Sequence, residues 1–406
     1  MATVRVVRRP STYVVVALAA ALVGGVVALL AGELTGLMGK RTSTVYVPTS
    51  ASDLGLARDE PVSSARPLTG SRFDPARIYA VRSPGVVTVF AVFDQPENHE
   101  AQGSCFIVSG AGYILTSAHV VIDTSTSKTI EARNVYVGFK DRDRIKATLV
   151  GWDVYDDVAL LKVDASAHAL APVPLGDSSR VHAGDPVAAM GSPFGNEDSI
   201  TTGVVSAIRR SIASLTSVYK VVDAIQIDAP ITHGNSGGPL FDARGRVIGI
   251  NAQIRTETGG AEGVGFAIPI NAARRSMTQL AATGHVVYAY LGVTTEDLTP
   301  TLARHLGYSA TRGAIVGEVK SGGPAAKEGL RGGSGDETFN GQSITPGGDV
   351  IVAIDGRVVQ SADDVVREVG SRVPGQTITL TIVRGDERKT LHVKLGARPT
   401  APETTP

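Results

Sequence analysis

Short apolar runs separated by polar, glycine- and proline-containing turns dominate the middle of the 406-residue chain. The runs recur at short intervals and include residues 86–92, 113–115, 134–139, 145–150, 158–163, 187–190, 203–208, 224–227 and 247–250. Runs of this length and spacing are typical of strands in a β-sandwich or β-barrel. We therefore predict a mainly β domain over residues 75–284, with enough chain for two six-stranded barrels and with residues 272–283 as a closing amphipathic helix.

A second folded unit is predicted over residues 285–397. It contains strand-like runs at residues 314–319, 349–354, 377–383 and 389–395. Ser361, followed by Asp363 and Asp364, predicts a helix with a serine N-cap and acidic residues in its first turn. The glycine-rich segment 331–348 is interpreted as a mobile insertion. The proline- and threonine-rich tail, residues 398–406, is predicted to be disordered.

The amino terminus predicts a membrane anchor. Three arginines within the first nine residues precede residues 13–31, which carry no charge. As a helix that rises about 1.5 Å per residue, this stretch would span roughly 28 Å, close to the thickness of the hydrocarbon core. A cleaved signal peptide is the alternative, but its apolar region usually runs only about 7 to 15 residues. We therefore predict a cytoplasmic stub and transmembrane helix over residues 1–41, a flexible linker over residues 42–74, and an extracytoplasmic location for everything that follows.

Composition argues against several other classes of protein. Lys plus Arg and Asp plus Glu both total 39, so the net charge gives no reason to expect a nucleic-acid partner. The eight histidines are scattered without the spacing of a zinc site, and we expect neither a metal nor a cofactor. The one cysteine, Cys105, cannot form an internal disulfide and lies in a strand-like run, so we predict a buried structural thiol.

The segment around Ser236 carries the clearest chemical signal. Residues 233–240 read HGNSGGPL and place one serine among glycines, between two strand-like runs. Serine becomes a useful nucleophile only with a general base beside it and donors aimed at the oxyanion that it creates. Glycines allow the sharp turn that exposes backbone N–H groups. Upstream lie His119 and then Asp156 and Asp157, and the chain order His, Asp, Ser predicts a serine protease.

The sequence pattern leaves open which of the two carboxylates acts. Neighbouring strand residues point to opposite faces, so only one of Asp156 and Asp157 can reach His119. The serine segment also matches the G-x-S-x-G elbow of esterases. That elbow requires a helix directly after the serine and a downstream histidine, whereas Pro239 and a strand-like run follow here. We therefore reject the esterase interpretation.

In its motifs the chain closely resembles the HtrA/Deg family of trypsin-like serine proteases with a C-terminal PDZ domain, over roughly residues 75–397. The resemblance rests on separate motifs that occur in the family's order, at residues 112–121, 157–163, 191–195, 233–240 and 263–269. It implies a chymotrypsin-like double β-barrel followed by a PDZ domain. It also implies a serine endopeptidase, usually trimeric, that degrades unfolded or damaged proteins in quality control and the stress response.

The resemblance assigns roles to individual residues. His119 would be the general base, Asp157 would orient it, and Ser236 would attack the scissile carbonyl, with Asp156 left as a solvated neighbour. The backbone N–H groups of Gly234 and Ser236, with Asn235 between them, would form the oxyanion hole, and His233 would be a spectator. The pocket for the substrate side chain would contain no acidic residue, so we expect small to medium apolar side chains before the cleaved bond; its wall would come from Ile231, Thr232, Asn251 and Ala252.

Tyr290, Leu291, Gly292 and Val293 resemble the carboxylate-binding loop of PDZ domains. Consecutive N–H groups at a glycine turn can hold a terminal carboxylate, and the strand behind can add a peptide by β-augmentation. The PDZ domain would then bind peptide C-termini for substrate capture or regulation. The alternative is a non-proteolytic sensor or chaperone scaffold that retains the PDZ domain.

Overall fold

The computed structural model describes residues 73–94, 99–124, 129–192, 199–217, 219–231, 234–252 and 264–399. All of them belong to one compact unit, residues 70–406. The predicted membrane helix at residues 13–31, most of the predicted linker and the tail from residue 400 lie outside the described residues. No helix in the described ranges is both long enough and apolar enough to cross a membrane.

Six antiparallel strands of the described residues close a first barrel. Its strands are β1 (Val86–Phe93), β2 (His99–Ile107), β3 (Tyr113–Thr116), β6 (Asn134–Gly138), β7 (Arg144–Asp153) and β8 (Val158–Val163), and the short ribbon of β4 (Ile122–Asp123) and β5 (Ile130–Glu131) lies outside it. Around the barrel the order is β1-β2-β3-β8-β7-β6.

A second closed barrel follows in the described part of the chain. It consists of β9 (Pro186–Gly191), β10 (Ser199–Ala213), β11 (Lys220–Ile227), β12 (Pro239–Asp242), β13 (Val247–Ala252) and β14 (Gly265–Pro269). The order around this barrel is β10-β11-β14-β13-β12-β9. The prediction of two six-stranded barrels is therefore confirmed.

Strand β8 is apolar on both faces, because one face lies in the interior of the first barrel and the other packs against the second barrel. In β8 the first four residues are all buried. One side of this strand, with Leu161, packs inside the first barrel. The other side, with Leu160, joins a cluster that contains Met190 and Phe241 of the second barrel. Burial of each such side chain contributes about 1.5–3 kcal/mol, so this shared cluster holds the two barrels together.

Three helices of the described residues pack against the barrels. They are α1 (Pro75–Arg82), α2 (Ala118–Val121) and α3 (Ile270–Thr283). The closing helix predicted at residues 272–283 is α3, which begins two residues earlier and ends at Gly284 with a left-handed φ of 77°. Its buried residues, including Ile270 and Leu280, pack on the cluster between the barrels.

The region predicted as a second folded unit, residues 285–397 and called the second unit below, contains the sheet β16-β17-β20-β22-β23, with β21 paired to β20 and β16 as an edge strand. Its elements are β15 (Ala289–Tyr290), β16 (Val293–Leu298), α4 (Pro300–Leu306), β17 (Gly313–Val319), α5 (Pro324–Lys327), β18 (Glu337–Phe339), β19 (Gln342–Ile344), β20 (Val350–Ile354), β21 (Arg357–Val358), α6 (Ala362–Gly370), β22 (Thr377–Arg384), β23 (Glu387–Lys394) and β24 (Gly396–Ala397). The predicted cap of α6 is confirmed, because Ser361 and Asp364 form a reciprocal capping box.

The segment 331–348 is not a structureless insertion. It contains the hairpin of β18 and β19. Asn340 and Gly341 connect the two strands with φ of 49° and 79°, as expected for the turn of a two-residue hairpin with an Asn-Gly sequence. Ile344 is buried and packs in the same cluster as Leu298. The prediction was wrong because it rested on the glycines of the segment and did not use its Asn340-Gly341 pair, which favours a hairpin turn.

Candidate active site

Strand register brings His119 and Asp157 together. β3 and β8 are antiparallel, and Thr116 at the end of β3 pairs with Ala159 near the start of β8. The short helix α2, which contains His119, therefore begins beside the turn that ends at Asp157.

The carboxylate of Asp157 fixes the imidazole and the backbone of His119. Oδ2 lies 2.7 Å from Nδ1 of His119, and Oδ1 accepts a hydrogen bond of 2.9 Å from its backbone N–H. The carbonyl oxygen of Asp157 accepts a further bond from the Ala118 amide at 3.1 Å. Asp157 itself has a left-handed φ of 51°. Non-glycine residues keep this conformation only where their surroundings determine it, and here these bonds do so.

The pKa of His119 is raised above its ordinary value, because the effect of burial is outweighed by its interaction with Asp157. Burial disfavours the charged imidazolium and lowers the pKa, whereas the charge of Asp157 and its hydrogen bond raise it. An imidazole accepts a proton only when it is neutral. In the role of general base that the sequence predicts, the raised pKa of His119 would move the lower pH limit of activity upward.

The turn that carries Ser236 is bonded to both barrels. The carbonyl oxygen of Ser236 accepts a hydrogen bond of 2.9 Å from the amide of Ser104 in β2. Gly237 and Gly238 bond to the backbone of Asn251 in β13, at 2.9 and 2.8 Å. The Oγ of Ser236 is buried and has no hydrogen-bond partner within the described residues, so it is not bonded to His119. Catalytic hydrogen bonds often form only when substrate is bound.

Ser104 supports the loop that the sequence predicts to be the oxyanion hole, and sequence reasoning missed it. Its Oγ donates to the carbonyl oxygen of Gly234 and accepts a bond of 2.8 Å from the Ser192 amide. Gly234 has a φ of 100°, and Asn235 is 2% exposed. The amides of Gly234 and Ser236 have no hydrogen-bond acceptor among the described residues. Nothing in the strand-like run around Ser104 signals this role, which depends on the approach of the two barrels.

The predicted pocket residues differ in burial, and one of them is not described by the structure. Ile231 is partly buried against the core of the second barrel, while Thr232, together with His233, lies outside the described residues. Asn251 is fully buried, and its side-chain amide donates to the carbonyl oxygens of Met190 at 3.1 Å and Pro239 at 3.2 Å. Ala252 is also buried. Asn251 thus supports the serine turn from behind and offers no exposed surface in this structure.

The prediction that Asp156 is solvated was wrong. Asp156 and Asp157 lie in a turn before β8, so strand alternation does not apply to them. The side chain of Asp156 is 15% exposed and its nearest cation is Arg275, at 4.0 Å. Burial, and next the negative charge of Asp153, raise the pKa of Asp156 to about 6. Asp157 is the member of the pair that contacts His119.

Cys105 is a buried thiol in β2. It is fully buried and its Sγ lies 3.4 Å from the carbonyl oxygen of Val87. Burial raises its pKa well above the ordinary range, so the thiolate is disfavoured. This environment is that of an inert structural cysteine, as predicted.

The predicted carboxylate loop lies beside an edge strand and a helix. Tyr290 ends β15, Gly292 has a left-handed φ of 80°, and Val293 begins the edge strand β16. The carbonyl oxygens of Leu291 and Gly292 bond to amides of the α5 region, Ala325 at 3.0 Å and Lys320 at 2.9 Å. Helix α6 packs against β15 and β16. Within the described ranges β16 pairs only with β17, which is the geometry that β-augmentation by a peptide requires.

Replacing Gly237 with alanine is expected to destabilise the fold by about 3 kcal/mol and to displace Ser236. Gly237 has a φ of 83°, and a Cβ there would lie 2.3 Å from the Ser104 carbonyl oxygen. Gly307→Ala is the matched control, because Gly307 has a φ of 72° but nothing within 4 Å of an added Cβ. That control should cost about 1 kcal/mol. Urea denaturation of both variants measures the difference, and equal costs would contradict the steric argument.

Comparison with known proteins places two family matches on the chain. A model of the trypsin-like peptidase domain matches residues 103–250, and a PDZ domain model matches residues 289–395. Among curated proteins, a probable periplasmic serine endoprotease DegP-like from Pseudomonas fulva is 42% identical over 302 residues, which is 74% of this chain and 57% of that protein. One of the same description from Brucella suis is 37% identical over 303 residues, 75% of this chain and 54% of that protein. The chain thus spans little more than half the length of these relatives.

Solved structures resemble the chain over most of its length. The HtrA-type protease AlgW with a tripeptide matches with a TM-score of 0.66 and 35% identity, over 80% of this chain and 98% of that one. The serine endoprotease from Yersinia pestis matches with a TM-score of 0.56 and 28% identity, over 80% of this chain and 98% of that one. A match over 80% of the chain is longer than the protease region or the PDZ region alone, so each of these matches includes both regions.

Proposed function

Since the chain belongs to the HtrA-type family of serine proteases, we propose that it is a serine endopeptidase that cleaves unfolded or damaged proteins outside the cytoplasm. Residues 75–284 would be the protease domain and residues 285–397 the PDZ domain. The observation that carries the proposal is the 2.7 Å contact between Nδ1 of His119 and the carboxylate of Asp157. It is supported by the position of Ser236 in a glycine turn bonded to the same barrel.

In the proposed mechanism Nε2 of His119 takes the proton of Ser236 while Oγ attacks the scissile carbonyl. The amides of Gly234 and Ser236 stabilise the oxyanion, and His119 then protonates the departing amine. Water, activated by the same imidazole, hydrolyses the acyl-enzyme. Asp157 keeps the proton on Nδ1 and stabilises the imidazolium. Because Ser236 Oγ has no hydrogen-bond partner among the described residues, we infer that substrate binding moves this hydroxyl towards His119.

Cleavage-site profiling tests the proposal. The full chain in detergent would be incubated with a proteome, once native and once denatured, and new peptide termini would be mapped by mass spectrometry. We expect more cleavage of the denatured proteome, mainly after small to medium apolar residues, and none with Ser236→Ala. If an organophosphonate probe failed to label Ser236 both with and without added peptides, the non-proteolytic sensor or chaperone scaffold would be favoured instead.

Attachment to the membrane through residues 13–31 is part of the proposal. It is supported by the uncharged length of that stretch and the arginines before it. The description of the relatives as periplasmic supports the proposed location of the protease outside the cytoplasm. Alkaline extraction of membranes should leave the chain in the pellet, and its intact mass should include residues 1–41. A soluble product that lacks them would indicate a cleaved signal peptide.

The PDZ domain is proposed to bind peptide C-termini, and the chain to form homotrimers. The glycine turn at Gly292 and the edge strand β16 support the first proposal. The test compares the binding of a peptide with a free C-terminus to that of its amide, which should bind more weakly. Light scattering of the purified chain determines whether its mass is that of a trimer.

A further inference from the structure

The turn that ends at the proposed catalytic acid, Asp157, is held by groups outside the two barrels. At its start, Asp153 is 2% exposed, and its carboxylate accepts hydrogen bonds from the amides of Tyr155 at 2.9 Å and Asp156 at 3.3 Å. The same carboxylate accepts the hydroxyl of Ser276 in α3 at 2.6 Å and that of Tyr288 at 2.5 Å. Tyr288 lies directly before β15, where the chain enters the second unit. The shape of the turn therefore depends on the connection between the units.

The end of the second unit returns to the same turn. Residues 396–399, which we name the C-terminal strap, pair with β15 through β24. The amide of Arg398 donates to the carbonyl oxygen of Tyr288 at 2.8 Å. The Oη of Tyr155 donates to the carbonyl oxygen of Pro399 at 2.7 Å. The prediction of a disordered tail was therefore wrong for its first two residues.

The guanidinium of Arg398 lies among three tyrosine rings. Its Cζ is 4.8 Å from the ring centroid of Tyr155, 5.0 Å from that of Tyr219 and 5.2 Å from that of Tyr288. Its Nε is buried and has no hydrogen-bond acceptor in the described ranges. Contact with the faces of the rings, by cation–π attraction and packing, therefore holds this side chain. The three rings come from the Asp157 turn, the β10–β11 connection and the entry to β15.

The positive charge of Arg398 also partly compensates the two neighbouring carboxylates of Asp153 and Asp156. Asp153 and Asp156 are buried near each other, and the charge of Asp153 raises the pKa of Asp156. The positive charges of Arg275 and Arg398 act in the opposite direction. Removal of Arg398 would thus leave the carboxylates less compensated and the turn less tightly packed. Asp157, with its left-handed φ of 51°, lies at the end of that turn.

We propose that Arg398, seated among Tyr155, Tyr219 and Tyr288, is a positioning residue for Asp157. The C-terminal strap then makes the alignment of the catalytic acid depend on the folded second unit. The inference rests on the proposed endopeptidase function and adds a regulatory connection to it. A displacement of about 1 Å in a catalytic group can cost on the order of a hundredfold in rate, so a loosened turn has a measurable effect.

The experiment uses the full chain with Arg398→Ala, Arg398→Lys and a deletion of residues 398–406. The matched controls are a deletion of residues 401–406, which keeps the strap, and Arg312→Ala. Arg312 is an exposed arginine of the second unit with no hydrogen bond or ion pair within the described residues. Turnover of a short fluorogenic peptide gives kcat and KM, and hydrogen–deuterium exchange reports the protection of residues 153–158.

For Arg398→Ala and the longer deletion we expect kcat to fall about tenfold with KM changed less than about twofold. The acidic limb of the pH profile should move to lower pH, because His119 loses part of the interaction that raises its pKa. Exchange at residues 153–158 should become faster, Arg398→Lys should be intermediate, and both controls should match the wild type.

Unchanged kcat and unchanged exchange in both Arg398→Ala and the longer deletion would overturn the proposal. If Arg398→Ala lost activity and exchange became faster throughout residues 285–397, the loss would come from unfolding, and the specific positioning role of Arg398 would be overturned. The exchange readout does not require proteolysis. If the wild type cleaved no peptide, the proposed function would fail, while faster exchange in the Arg398 variants would still support the positioning of the turn.

Discussion

Ser236→Ala is expected to lower kcat by about 10⁶-fold, the largest effect predicted for a single substitution in this chain. The reason is that the variant has no nucleophile to form the acyl-enzyme, although its oxyanion donors and the His119–Asp157 pair are retained. Residual hydrolysis would come from binding and the oxyanion hole alone. The measurement is the turnover of a fluorogenic peptide by the purified full chain.

The controls for this prediction are a serine outside the site and a double variant. Ser309→Ala changes an exposed serine whose Oγ bonds only to the Gly385 carbonyl oxygen within the described residues, and it should keep wild-type kcat. His119→Ala combined with Ser236→Ala should be no slower than Ser236→Ala alone, because the two groups act as one unit. Undiminished proteolysis by the Ser236→Ala variant would refute the proposed mechanism.

Asp157→Asn is expected to lower kcat by about 10⁴-fold while leaving the fold intact. An amide at this position can donate to Nδ1 of His119, which favours the tautomer in which Nε2 carries the proton and cannot accept one. The negative charge of Asp157 raises the pKa of His119. Its removal therefore lowers that pKa, and the acidic limb of the remaining activity should move to lower pH. A pH profile of kcat/KM for both proteins measures the two effects together.

Asp156→Asn is the matched comparison for Asp157. Its carboxylate faces Asp153 and Arg275 and does not contact His119. We expect this variant to keep kcat within about tenfold of the wild type, since its contribution to the site is limited to the shape of the turn. If Asp156→Asn lost as much activity as Asp157→Asn, the assignment of the orienting carboxylate to Asp157 would be wrong.

The relation between sequence and structure differs from one part of the site to another. His119, the carboxylate pair Asp156 and Asp157, and Ser236 among its glycines could be recognised as candidates from the residues alone. Serine catalysis requires a base, an acid that orients it and backbone donors for the oxyanion. The choice between Asp156 and Asp157 could not be derived from strand alternation, since both residues lie in a turn. It came from the family resemblance, and in the structure the pairing of β3 with β8 brings Asp157 into contact with His119.

The sequence by itself determined the elements that depend on near neighbours: short apolar runs that become barrel strands, the helix α3, and the serine cap of α6. Only the tertiary structure decided the contacts between distant residues. Ser104 bonds to Gly234, 130 residues away, and Tyr155 bonds to Pro399, 244 residues away. The physical reason is the separation along the chain over which each kind of interaction acts. Side-chain periodicity and turn preferences act over a few residues, whereas these contacts exist only once two barrels have closed and the second unit has packed against them.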